Sequence, residues 1–157
     1  MLKMTPSSPN SRLPFLTFNL AAQFYALLVE DVVEVAAMVE RMPVPDSPPE
    51  VLGIVNRHGT PLLLIDLRMI FKHSAGPITS TTMFVVAGRA GEQQIGLVVD
   101  EVHQVEYVDK PQFQELSTSG KYIRGIISYR SQLIPVVSLA ALLDAFLSRL
   151  PDHQQLK

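Results

Sequence analysis

Apolar residues come in short, strand-length runs punctuated by Gly, Pro, Ser and Asn. Segments 15–20 and 23–29, with Ala21 and Ala22 between them, predict a hairpin, and 32–35 continues as strand. Residues 41–49 hold four prolines, which removes donors and fixes φ, so that stretch must be a stiff loop. Segments 52–56 and 61–66 form a second hairpin around residues 57–60, then one helical turn over 67–71 and a Ser/Thr/Gly/Pro connector over 74–82. The pattern then begins again. Segments 83–88 and 94–99 flank a turn, 101–108 alternates Val102, Val105 and Val108 with polar neighbours, and 123–129 with 133–137 forms a last strand pair. Residues 138–147 place apolar side chains at helical spacing, with Ser138 as N-cap.

The second half repeats the first. Gly53-Ile-Val-Asn-Arg-His-Gly-Thr-Pro-Leu-Leu-Leu-Ile-Asp-Leu67 aligns without a gap on Gly125-Ile-Ile-Ser-Tyr-Arg-Ser-Gln-Leu-Ile-Pro-Val-Val-Ser-Leu139, an offset of 72 residues. Residues 25–35 align on 95–105 at an offset of 70. Two such blocks at nearly equal offset point to an internal duplication. Each half carries five short antiparallel strands and a helical stretch, a set that tends to close into a small barrel. A barrel of one such half is marginal alone, so the two should pack together and leave a groove along the seam. The folded span is 13–150, with halves 20–80 and 81–137 and a helix over 138–148, between tails 1–12 and 151–157.

A hydrophobic share of 47% against 18% charged residues marks a globular chain, and a net charge of −2 with scattered charges offers no basic stripe for nucleic acid. The absence of cysteine excludes disulfides and thiolate metal sites. No run is long enough to span a membrane as a helix, and the N-terminal residues lack a signal-peptide core, so a cytoplasmic protein is expected.

Catalytic chemistry finds no foothold. His58, His73, His103 and His153 fall in no metal-binding spacing, and His103 and Glu106 should face opposite sides of their strand. Segment 117–121 lacks the first glycine and final Ser/Thr of a phosphate loop. The acidic pairs Glu30–Asp31 and Asp100–Glu101 occupy corresponding places in the two repeats and read as strand-end caps or solvent-facing groups. Asp66 and Arg68 read as a local pair steadying the turn after a strand. A non-catalytic binding module is expected, without cofactor or metal; a small enzyme is the alternative.

Val32-Val-Glu-Val35, Pro48-Pro-Glu-Val-Leu-Gly-Ile-Val-Asn56, Gly59-Thr-Pro-Leu-Leu-Leu-Ile-Asp-Leu-Arg68, Ile95-Gly-Leu-Val-Val-Asp100 with Val102, and Tyr122-Ile-Arg-Gly-Ile126 occur in an order that resembles the CheW family, the coupling proteins of bacterial chemosensory signalling. The resemblance covers about residues 15–147. It implies a mainly β fold of two intertwined five-stranded SH3-like barrels plus a C-terminal helix. It implies an adaptor that bridges chemoreceptors to a CheA-type histidine kinase, recruited to membrane-associated receptor arrays. The receptor's helical hairpin tip would dock in the groove between barrels, and the kinase's regulatory domain would pack barrel against barrel. Carried over by motif, the receptor-facing positions are Val32, Glu34, Gly53, Asn56, His58, Val102 and Val105. The family commonly reads Asn-Leu-Arg-Gly at the first hairpin, where this chain has Asn56-Arg57-His58-Gly59. The displaced arginine is expected on the other face, toward solvent or the kinase. An adaptor of a surface-motility or second-messenger pathway fits the same motifs.

Overall fold

The computed structural model describes residues 11–89, 91–116 and 121–147. The C-terminal tail, most of the N-terminal tail, residues 117–120, the expected end of the folded span at 148–150 and His153 lie outside the described residues. Among the described residues, eleven strands and two α-helices follow in order: β1 (Arg12–Leu20), β2 (Gln23–Leu28), β3 (Val32–Ala37), β4 (Val51–Arg57), β5 (Thr60–Asp66), α1 (Leu67–Ile70), β6 (Met83–Gly88), β7 (Gln94–Val99), β8 (Glu101–Asp109), β9 (Phe113–Glu115), β10 (Ile123–Tyr129), β11 (Gln132–Val137) and α2 (Leu139–Leu147). Arg12, expected in the tail, instead pairs with Asp109 at the end of the β1–β8 ladder. Ser138 caps α2 as expected, its hydroxyl accepting from the Ala141 backbone amide at 3.2 Å.

The strands form two sheets, ordered β8-β1-β2-β11-β10-β9 and β3-β6-β7-β5-β4. Under the repeat, β1 corresponds to β6, β2 to β7, β3 to β8, β4 to β10 and β5 to β11, so both sheets have the same order, with β9 as an added edge. Each sheet takes its leading pair of strands from one half of the chain and the rest from the other. The barrels therefore exchange strands and do not coincide with the halves 20–80 and 81–137. Where the halves join, β5 runs parallel to β7 and β11 parallel to β2, whereas antiparallel strands were expected throughout. These neighbours are not linked by a hairpin, so packing sets their direction, not turn geometry.

Alternation along the strands builds three cores. Phe15, Ala26, Leu28, Val108, Ile127, Ile134 and Val136 fill the first barrel, and Met38, Val55, Leu62, Leu64, Phe84, Val86 and Val98 fill the second. Alternate residues of the same strands, among them Leu16, Phe18, Leu27, Leu63, Ile65, Leu97 and Val99, meet between the barrels with Leu142 and Phe146 of α2. Strands buried on both faces explain the continuous apolar runs in the sequence. Each fully buried Leu or Phe contributes roughly 1.5–3 kcal/mol, so the shared third core holds the barrels together.

Candidate functional site

Each barrel leaves an open seam between its outer strands, and side chains close it. In the second barrel the seam lies between β3 and β4. Glu34, on β3, forms an ion pair with Arg57, the last residue of β4, whose side chain is only 16% exposed. The hairpin beyond Arg57 turns through His58 (φ 52°) and Gly59 (φ 85°), the positive-φ pair that a tight two-residue turn requires. Asn56 braces this turn, its Oδ1 accepting from the Gly59 amide at 2.8 Å. The exposed His58 ring reaches back to 3.8 Å from the Glu34 carboxylate. Beside this hairpin runs a groove of about 810 Å³, walled by Val33, Ile54, His58, Leu63, Gln94 and Leu147 of α2 among others.

The first barrel repeats the device with different chemistry. Tyr129, the last residue of β10, donates its hydroxyl to Glu106 of β8 at 2.5 Å, and Gln104 Nε2 donates to the same carboxylate at 2.6 Å. The Tyr129 bond, with that from Gln104, holds the Glu106 carboxyl below its usual range, and the same carboxylate bond pushes the Tyr129 phenol up. The turn after Tyr129 also places two residues at positive φ, Arg130 (50°) and Ser131 (64°). A cleft of about 660 Å³ opens here, floored by Phe24, Val102 and Ile134 and rimmed by Thr17 and Gln104. His103 packs edge-on against Phe24 and bonds Asn19, and it lines the same cleft as Glu106, contrary to the opposite faces expected, because a register shift in the β1–β8 ladder between Val102 and Val105 breaks the alternation.

The seven positions carried over by motif are not gathered into one patch. Glu34, Asn56 and His58 converge at the second barrel's hairpin. Val32 and Val102 pack, partly buried, against the core between the barrels. Gly53 is buried, with φ 136°, and a Cβ there would lie 2.5 Å from the Met42 carbonyl oxygen, so its backbone approach alone demands glycine. Val105 is 43% exposed on β8 of the first barrel, near Tyr107, which is 61% exposed. Arg57 departs from its expected solvent-facing place, because from the strand's last position it reaches across the seam to Glu34. Tyr129 was not singled out by the sequence and Glu106 was weighed only against His103, although Tyr129 stands at the repeat position of Arg57 and that offset was a usable signal. Among the described residues, no group of three or more His, Cys, Asp or Glu side chains is arranged to hold a metal ion.

Two SH3-like barrels that exchange strands, share one core and leave open seams at their surface define a binding scaffold. The CheW-like domain family matches residues 14–146, and the chain belongs to that family. It is 26% identical over 135 residues to the chemotaxis protein CheW of Helicobacter pylori, covering 83% of this chain and 81% of that protein. A probable chemotaxis protein CheW of Rhizobium etli is likewise 26% identical over 132 residues, covering 81% of this chain and 84% of that protein. The solved structure of the scaffolding protein TtCheW from Thermoanaerobacter tengcongensis superposes with a TM-score of 0.74 at 26% identity, covering 81% of this chain and 89% of that one. The chain is a chemotaxis coupling adaptor.

Proposed function

We propose that the chain works without catalysis in the cytoplasm, holding the regulatory domain of a CheA-type histidine kinase and the cytoplasmic tip of a chemoreceptor at the same time. The observation that carries this reading is the groove of about 810 Å³ beside the β4–β5 hairpin, where apolar walls from both barrel and helix meet the Glu34–Arg57 pair at the rim. An apolar trough with a charged rim suits a helical hairpin that buries one stripe of side chains and keeps a polar edge. The first barrel offers Val105, Tyr107 and Leu133 as exposed apolar side chains, which suits packing against a kindred barrel of the kinase. Among the described residues no helix is long and apolar enough to cross a membrane, so recruitment to receptor arrays would come through the receptor contact.

The test is reconstitution. Purified chain, a kinase regulatory domain and a receptor tip fragment should form a ternary complex in which each pairwise affinity is micromolar or tighter. Charge reversal at Glu34 should weaken the receptor fragment and spare the kinase domain. Val105, receptor-facing by the motif, is exposed on the first barrel and does not line the groove, so we read it instead as a kinase contact, and Val105→Glu should weaken the kinase domain and spare the receptor fragment. Failure to bind either partner sinks the reading.

A further inference from the structure

Arg68 is a buried cation with no place in either seam. It is 3% exposed, as second residue of α1 just past the end of β5. Its guanidinium is divided between two carboxylates. Nε donates to Asp66 Oδ1 at 2.9 Å and one terminal nitrogen to Asp66 Oδ2 at 3.0 Å, while the other terminal nitrogen donates to Asp100 Oδ1 at 3.0 Å. The hydrogen bonds to Asp66, with the one to Asp100, raise the Arg68 pKa above its usual value.

The two carboxylates belong to different barrels. Asp66 ends β5 of the second sheet, and its backbone amide is held by the Glu50 carbonyl at 2.8 Å. Asp100 is the link by which the chain crosses from β7 of the second sheet to β8 of the first. Its backbone amide donates to Asn19 at 3.1 Å, and its Oδ2 accepts from the Ala21 amide at 2.5 Å, which fastens it to the β1–β2 turn of the first barrel. A planar fork of fixed donors grips Asp66 through two nitrogens and Asp100 through a third, a geometry that the single nitrogen of a lysine does not reproduce. A buried ion pair adds little to stability over an apolar replacement, so stability alone does not account for this one.

The repeat supplies an internal comparison. By the repeat, Ser138 and Ala140 of the second copy stand at the positions of Asp66 and Arg68, and Glu30 of the first copy stands at that of Asp100. That second corner has no buried guanidinium in the corresponding position. It holds a cleft of about 360 Å³ and an exposed Arg89–Glu30 pair at 3.2 Å. There Arg89 also lies 3.6 Å from the buried Asp31 carboxylate, on the link from β2 to β3, but among the described residues the Arg68 fork between two carboxylates has no counterpart.

We propose that Arg68 sets the angle between the two barrels by holding one carboxylate from each, and so positions the groove for its partner. The functional half of this proposal rests on the adaptor reading above; the structural half does not. The chain lacks cysteine, so the variants Thr60→Cys and Gln132→Cys place one spin label on the exposed hairpin of each barrel. Pulsed dipolar spectroscopy should give one narrow distance distribution in the parent. Arg68→Met and Asp100→Asn should shift or broaden it while the circular dichroism stays β-rich. Arg68→Lys should behave as Arg68→Met does, since it keeps the charge but not the fork. Arg12→Ala, which removes an exposed pair with Asp109 inside the first sheet, should leave the distribution unchanged. In unlabelled protein, Arg68→Met should weaken kinase-domain or receptor-fragment binding by roughly 2- to 30-fold. Should Arg68→Met fail to fold, Asp100→Asn decides alone. An unchanged distribution in a folded variant overturns the clamp. A changed distribution with undiminished affinity overturns its positioning role. If the parent binds neither partner, the adaptor reading fails while the distances still judge the clamp.

Discussion

Arg57 and Tyr129 stand 72 residues apart at the last positions of β4 and β10, and each closes its barrel by bonding a glutamate from the strand across the seam. One repeat uses a permanent ion pair with Glu34, the other a phenol donating to Glu106. A sheet rolled into a barrel without a final hydrogen-bonded ladder needs some such fastening.

The ion-pair fastening should be worth little in stability, because Glu34 is 38% exposed and solvent screens the pair. A double-mutant cycle with Arg57→Ala and Glu34→Ala, read by denaturant unfolding, should return a coupling of about 1 kcal/mol or less. Added salt should reduce it further. A coupling several times larger would show that the seam is drier than its exposure indicates.

The phenol fastening should depend on pH at both ends. Glu106 has a folded pKa below its ordinary value of 4.5, so its contribution is present above that value and is lost as pH falls through the depressed one. Tyr129 has a folded pKa above its ordinary value of 10.0, so its contribution is present below 10.0 and is lost as pH rises through the raised one. Between these limits Tyr129→Phe should destabilise the chain, and the difference from the parent should shrink toward both extremes. Denaturation midpoints of the two proteins across pH check this; a constant difference throughout would assign the loss to packing.

Gly53 and Gly125 should tolerate no side chain. A Cβ at Gly53 meets the Met42 carbonyl oxygen at 2.5 Å, and one at Gly125 meets the Gln114 carbonyl oxygen at 2.6 Å. Gly53→Ala adds a positive φ to this clash, so it should cost at least the 1–3 kcal/mol typical of a strained backbone. The melting temperature of each alanine variant should fall before any binding defect is interpretable. A variant of parental stability that has lost receptor binding would return Gly53 to the interface.

Val102 and Val105 should separate core from surface. Val102 packs on the core between the barrels, so Val102→Ala should cost about 1–2 kcal/mol with binding following stability. Val105 is 43% exposed, so Val105→Glu should change stability by no more than about 0.5 kcal/mol while weakening kinase-domain binding. Thermal melts alongside binding measurements distinguish these, and a strong loss of stability at Val105 would place it in the core.

Much of the architecture was legible in the order of residues. Apolar runs bounded by Gly, Pro and Asn marked all strands but β9, whose three residues are too few to show a period. The offset between Gly53 and Gly125 disclosed the duplication, and Ser138 announced α2. The motifs around Glu34 and Asn56 named one end of the candidate site, because local turn chemistry and strand order reside in neighbouring residues. The family resemblance implied intertwined barrels, but tertiary structure alone decided which strands the halves exchange. Both repeats carry the same alternation, so β2 could pair with either copy of its neighbour and satisfy the same hydrophobic pattern. It alone decided that Arg57 turns to Glu34 and that Arg68, read as the steadying partner of Asp66, also reaches Asp100, thirty-two residues on. It alone decided which valines are walls and which are surface, because burial depends on what packs against a strand, and that neighbour comes from the other half of the chain.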